Sequence, residues 1–409
     1  MKIIPSFRPS ISYGQLNKTL LRLLINNVPE EAVTAFEQRF AQYLGVKYAI
    51  QVSSARWGLY YILQNLNLNK GDEVILPAFT YFAVPAVIVK LGLKPVFVDI
   101  NSQDFNINVQ KIKESITKRT RVIIPTHLYG FVCELEKILD MGREYDIKII
   151  EDCAQSLGAE YKGRKTGSLG EASYFTFGIT KNFTTLGGGM IATNNGELAD
   201  KIRQEIITIR KTDNRVLFLR LLKAYIMRCA TSRAIFPAIY CVIRLFSCFG
   251  LDIVGCIFGE RDTLLDSLPE SGQINDIQAE FGILQLNCID EKNITRMEKG
   301  NRLYERLRTV SNIKVPLLEE KEKNIFSGCP VIVNKREYLK RNLLKRGIDT
   351  SAGYIQNCSR LDIFKEFEKD CPNASKAEDG ILHLPIYPEL SDGELASISE
   401  IVKQVVYDK

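Results

Sequence analysis

Histidine is nearly absent from this chain: His127 and His383 are the only two in 409 residues. That excludes a histidine-rich metal site, which draws several imidazoles to one ion. The ten cysteines include no CxxC pair and no framework spacing. Neither a cysteine-only zinc site nor a disulfide scaffold is therefore expected, and no metal is assigned. We read the cysteines as reduced thiols in a cytosolic compartment. The opening residues, MKIIPSFRPS, lack the apolar stretch of a signal peptide, so none is expected. Repeats and low-complexity linkers are missing too. The net charge of +6 is small for this length and gives no reason to expect nucleic acid as a partner.

What is present is an ordinary globular composition, 45% hydrophobic and 25% charged. From about residue 46, short apolar runs alternate with longer helical patterns. YAIQV (48–52) precedes an amphipathic stretch from Ala55 to Leu68, and Gly71 supplies a helix stop. EVILP (73–77), KPVFVD (94–99), RVIIP (121–125) and IKIIED (147–152) read as further strands with helices between them. This pattern predicts an α/β fold whose central sheet is mostly parallel, with helices on both faces. Ligands of such sheets sit beyond the carboxyl ends of the strands. Ser53–Arg56, Ala78–Tyr81, His127–Tyr129 and Asp152–Gln155 then share one rim.

SYFTF (173–177) and GMIAT (189–193) flank a glycine-rich turn. A helix is predicted over 196–210 and a long one over Ile277–Leu307. The last ~100 residues mix short strands and helices, as a smaller α+β domain does. The expected division is an N-terminal arm (1–35), a large domain (36–215), a helical insert (216–260), a long helix linking the domains (261–310) and a small C-terminal domain (311–409).

Lys181 lies in FTFGITKNFTTLGGG, on a turn between two strand candidates, and Asp152 ends a buried strand inside EDCAQS. Lys181 read alone is a solvated lysine, and Asp152 read alone is a helix cap. Together they match the needs of pyridoxal phosphate: an amine for the Schiff base, and an acid that keeps the pyridine nitrogen protonated. SSAR (53–56) stands at a helix start, where backbone N–H groups and the helix dipole suit a phosphate and Arg56 adds a fixed charge. The same residues also read as an ordinary N-cap.

These motifs occur in one order: FEQRFAQYLGVKYAI, GDEVILPAFTYFA, PVFVDI, IIPTHLYG, IEDCAQSLGAEYKGRKTGSLG, the Lys181 turn, DIQAEFGILQL and LPIYPELSDGE. In this the chain resembles the DegT/DnrJ/EryC1/StrS family of sugar aminotransferases, a fold-type-I branch of pyridoxal-phosphate enzymes. The resemblance implies that Lys181 is the Schiff-base lysine and Asp152 the pyridinium partner. It implies that Gln155 approaches the ring and its phenolic oxygen, that Tyr81 stacks on the ring face, and that Thr176, Ala55 and Arg56 hold the phosphate. Arg56 stands where the family has threonine, Ser271 where it often has an asparagine reaching the neighbouring subunit's phosphate, and Gln273 where it has an arginine. A homodimer is implied as well. The implied reaction moves an amino group from glutamate to a keto sugar, nucleotide-activated or lipid-linked, for cell-surface polysaccharide or glycolipid. Two other readings are a sugar dehydratase, whose histidine replaces the lysine, and a non-catalytic membrane-associated protein that has kept the fold.

One segment stands apart. Between Arg210 and Gly250, eight basic residues face a single acid, Asp213, amid runs such as VLFLRLLKAYIM. Residues 216–258 are broken by Pro237, Arg244, Gly250 and Asp252 too often for a spanning helix. The segment reads either as a helical surface for anionic membranes, at the inner face of the cell membrane, or as a buried hairpin over the active site or dimer contact.

Overall fold

The computed structural model describes residues 2–25, 31–248, 272–319 and 322–407. Seven strands form its central sheet: β1 (Tyr48–Val52), β2 (Glu73–Pro77), β3 (Lys94–Val98), β4 (Thr120–Ile123), β5 (Lys148–Asp152), β6 (Ala172–Thr176) and β7 (Gly189–Thr193). Their spatial order is β1-β7-β6-β5-β4-β2-β3. β7 runs antiparallel to both of its neighbours, and every other pairing is parallel. The mostly parallel α/β sheet expected from the sequence is therefore present.

Strand alternation feeds two cores. Val74, Leu76, Val122 and Ile150 enter the core on one face, while Ile75, Ile123 and Ile149 enter the core on the other. A period of two in a strand buried on both sides produces this division. Eleven helices accompany the chain as far as residue 307: α1 (Tyr13–Ile25), α2 (Ala32–Leu44), α3 (Ala55–Gln64), α4 (Ala83–Lys90), α5 (Val109–Ser115), α6 (Leu135–Glu144), α7 (Gly196–Ile206), α8 (Asn214–Ala230), α9 (Phe236–Cys248), α10 (Asp276–Leu286) and α11 (Ile289–Leu307), counted among the described residues. Side chains set several of their ends. Ser54 caps α3 by accepting from Trp57 N–H, and Asp213 caps α8 by accepting from Arg215 N–H. Asn275 and Gln278 form a reciprocal capping box on α10.

Three helices differ from the sequence reading. The stretch from Ala55 stops at Gln64 rather than Leu68, and Asn65 Nδ2 returns to the Tyr61 carbonyl. The helix expected over 196–210 stops at Ile206, where Gln273 Nε2 takes the carbonyls of Ile206 and Ile209. The single helix expected over Ile277–Leu307 is two, α10 and α11. Cys288 leaves helical geometry at φ −129°, ψ 5°, and its thiol is bonded to the carbonyls of Leu284 and Gln285.

Beyond α11 a second, antiparallel sheet joins Ile313–Lys314, Pro330–Val333 and Ile381–His383. Its Val331 and Leu382 belong to the same core as Val74 and Val122 of the large sheet, so the two sheets share buried apolar contacts. In the insert, Leu217, Leu221 and Ala224 of α8 pack on Leu16, Ile277 and Phe281. Arg228 donates to the Pro9 carbonyl and pairs with Glu389 at 2.8 Å, while Arg233 pairs with Glu394. Residues 249–260 of the insert and Ser271 lie outside the described residues. Among the described residues, no helix is long and apolar enough to cross a membrane.

Candidate active site at the carboxyl rim of the sheet

Asp152 is the last residue of β5 and is buried. Its Oδ1 accepts from Ala154 N–H at 3.0 Å, and Thr126 Oγ1 lies 3.4 Å from Oδ2. Burial raises its pKa, while Ala154 N–H, Tyr174 and the Lys181 charge pull the other way. An acid in this position gains from a cationic partner above it. The buried Tyr174 hydroxyl lies against the same carboxylate.

Beneath Asp152 is a second, fully buried pair. Glu151 accepts from the backbone N–H groups of Gly167, Leu169 and Gly170, each at 2.8 Å, and contacts His127 Nε2 at 3.2 Å. Cys133 N–H donates to His127 Nδ1. Nδ1 is thus the acceptor, which leaves the proton on Nε2, facing Glu151. Burial works to raise the Glu151 pKa, but His127 and these N–H groups outweigh it and hold it low. His127, Glu151 and Cys153 lie close enough together to suggest a metal site, but both imidazole nitrogens and the carboxylate are already bonded within the protein.

Lys181 sits on the loop between β6 and β7, half-buried. Its Nζ donates to the Tyr354 hydroxyl at 2.6 Å. The loop is held from behind. Gln278 Nε2, fully buried on α10, donates to the carbonyls of Thr185 and Gly187. Asn182 Nδ2 donates to Leu157 O and Asn293 Oδ1.

Gln155 Oε1 accepts from Tyr129 N–H at 3.0 Å, which fixes the amide so that its NH2 end is the remaining donor. Tyr81 meets Tyr354 edge to face at 5.8 Å. Thr176 ends β6 opposite Gly189, and a Cβ on Gly189 would lie 2.9 Å from Ala55 N. Thr176, Gly189 and the start of α3 therefore meet at one corner. Among the described residues, Ser53 Oγ is buried there without a hydrogen-bond partner and Arg56 makes no ion pair. An orphaned hydroxyl, a helix N-terminus and a guanidinium suit a phosphate, and a buried acid paired with a reachable amine suits a pyridine ring and its carbonyl. The residues present fit pyridoxal phosphate. Gln273, in contrast, is tied to carbonyls and to Gln51 within the chain.

Sequence reasoning placed Tyr129 on the rim without a role, and missed Tyr354, Tyr174 and His383. Tyr174 alone had a local signal, since it faces the same side as Asp152 on a neighbouring strand. Tyr354 follows Gly353, whose φ is +79°, and a Cβ on that glycine would lie 2.9 Å from His383 Nε2. Tyr129 has φ +59° and packs edge to face on His383 at 4.8 Å. Nothing in the local sequence around Tyr354 points back to Lys181.

The model of the DegT/DnrJ/EryC1/StrS aminotransferase family matches residues 24–220 and 237–403. An uncharacterized protein of Methanocaldococcus jannaschii is 33% identical over 98% of this chain and 97% of its own length. The dTDP-3-amino-3,6-dideoxy-alpha-D-galactopyranose transaminase of Aneurinibacillus thermoaerophilus is 28% identical over 92% of this chain and 90% of its own. Among solved structures, an aminotransferase from Psychrobacter cryohalolentis superimposes with a TM-score of 0.79 at 22% identity, covering 99% of each chain.

Proposed function

The chain belongs to the DegT/DnrJ/EryC1/StrS family of pyridoxal-phosphate-dependent aminotransferases, and from that premise we propose that it aminates a keto sugar with glutamate as donor. The observation that carries this reading is the Lys181 charge acting on buried Asp152 at the carboxyl rim. When bound, pyridoxal phosphate supplies a carbonyl for amino-group exchange and a ring that stores an electron pair.

In this reading Asp152 holds a proton on the ring nitrogen, and burial strengthens that pairing by excluding water. Lys181 Nζ would hold the cofactor and serve as the base that moves a proton at the substrate carbon. Tyr354 orients that amine through its hydroxyl. The Gln155 amide, whose NH2 end is left as a donor, and Tyr81 would hold the cofactor ring. Ala55, Arg56 and Thr176 hold the phosphate, with Arg56 contributing through its guanidinium. The floor then lies on residues 36–215, and residues 311–409 supply the roof.

The relative from A. thermoaerophilus is named for a nucleotide-linked amino sugar, which supports a nucleotide-activated sugar destined for cell-surface polysaccharide or glycolipid. A lipid-linked acceptor is the finer alternative, favoured by the apolar insert. We also infer a homodimer, and a cytoplasmic chain whose insert meets the inner membrane face. The test is mass spectrometry of products from a panel of nucleotide-linked and lipid-linked keto sugars with glutamate. A mass shift from carbonyl to amine on one class names the acceptor. No shift on any, with cofactor bound, refutes the reading.

A further inference from the structure

Helix α8 has two apolar faces. Leu217, Leu221, Ala224 and Arg228 are buried against the body of the protein. On the other side Arg215, Leu219, Leu222 and Ile226 recur at helical spacing. Leu219 is 62% exposed and Ile226 59%. Helix α9 repeats the pattern, with Val242 51% and Leu245 58% exposed. Single exposed leucines are ordinary, but bare rows on two packed helices are not.

Charge narrows the occupant. No Asp or Glu occurs from Asn214 to Gly250. The cations divide into two groups. Arg228 and Arg233 are consumed by Glu389 and Glu394, and the Arg220 guanidinium is packed against Gly187. Arg215, Lys223 and Arg244 remain exposed, with no ion pair among the described residues, while Arg244 also bonds the Tyr240 hydroxyl. The exposed charges therefore sit beside the bare apolar rows. A second copy docked by this face would set cations against cations, with no acid on α8 or α9 to answer them. Anionic headgroups over acyl chains answer both features at once.

We propose that the exposed faces of α8 and α9 form a peripheral docking surface for an anionic lipid bilayer. Leu219, Leu222, Ile226 and Leu245 enter the interface, while Arg215, Lys223 and Arg244 meet the headgroups. Arg228 and Arg233 clamp this surface to the residues around Glu389 and Glu394, so the body of the enzyme is held at the bilayer with it. The surface deepens the lipid-linked alternative above, yet vesicle binding needs no turnover, so the two ideas fail separately.

The test is co-sedimentation of the full chain, loaded with cofactor, on phosphatidylcholine vesicles with and without phosphatidylglycerol. We expect pelleting only with phosphatidylglycerol, and release as salt rises from about 0.1 M to 1 M, where the screening length falls to about 3 Å. Leu219→Ser, Leu222→Ser and Ile226→Ser together should weaken binding at least about tenfold, because each removes apolar area from the interface. Arg215→Gln with Lys223→Gln leaves the apolar rows and the fold untouched, and should weaken binding at low salt only. Wild type that stays in the supernatant with phosphatidylglycerol overturns the proposal. So does a triple serine variant that pellets like wild type, or one whose light-scattering mass drops to a monomer while wild type ignores vesicles, which assigns the face to a second copy.

Discussion

The floor and the roof of the site are built in opposite ways. On the floor, Asp152 and Glu151 are buried at the end of one strand and held by backbone N–H groups and His127. On the roof, Tyr354 is 53% exposed and reaches Lys181 by one hydrogen bond from a loop at a glycine of positive φ. Freeing these carboxylates means moving several backbone donors from two turns together, whereas a single phenol on a loop can swing aside. The difference teaches that charge placement is fixed by the sheet, while access and proton positioning are left to the second sheet and its loops.

The sharpest way to break this contrast lies at Lys181, where the two halves touch. Lys181→Ala should lower transamination by at least about 10⁴-fold, the upper range for one proton-transfer group. Borohydride reduction of the wild type should fix the cofactor to the peptide containing Lys181. A label on another lysine would move the centre of the site. Next comes the floor itself. Asp152→Asn should leave melting and fold intact but cost about 10²- to 10³-fold in rate, as loss of one oriented electrostatic partner in a dry site does. An unchanged rate would make Asp152 structural only.

The roof should respond more mildly. Burial lowers the His383 pKa from 6.5 to about 4. In that window the unfolded chain binds the proton and the folded one does not, so stability falls as pH falls from 6.5 towards 4. Because the ring is half-buried, we expect about 2 kcal/mol across the window. His383→Asn should flatten the slope, measured by denaturant melts at each pH. The smallest effect belongs to Tyr354→Phe, about tenfold or less in rate, the size of one net hydrogen bond. The readout specific to positioning is a shift of the pH–rate profile with cofactor retention unchanged. A loss as large as that of Asp152→Asn would erase the distinction between floor and roof.

Legibility in the sequence follows the same division. Lys181, Asp152, Gln155 and Thr176 stand at or just beyond strand ends, and alternation plus crossover spacing places strand ends on one rim. Tyr354 meets Lys181 across 173 positions and Gln278 meets Thr185 across 93. Such contacts are settled by how elements pack, and no local periodicity carries them. The helix split at Cys288 was hidden for a different reason: the apolar pattern runs through it, and the break lies in one residue's backbone angles. The charge count of the insert is only partly legible. The sequence counts every cation alike, whereas the fold consumes Arg228 and Arg233 internally and leaves Lys223 outside.

The placement of β7 between β1 and β6 bears on how the protein is made. β1 has no neighbour in the sheet until Gly189–Thr193 arrives to pair with it. A ribosome releases the chain from its N-terminus, so Tyr48–Val52 emerges early and waits as an unpaired strand through the synthesis of β2 to β6. The corner where α3 meets Gly189 does not exist in any shorter nascent chain. Cofactor capture is therefore a late event in biosynthesis, and a chain stalled before residue 189 presents β1 as a free edge open to pairing with other chains.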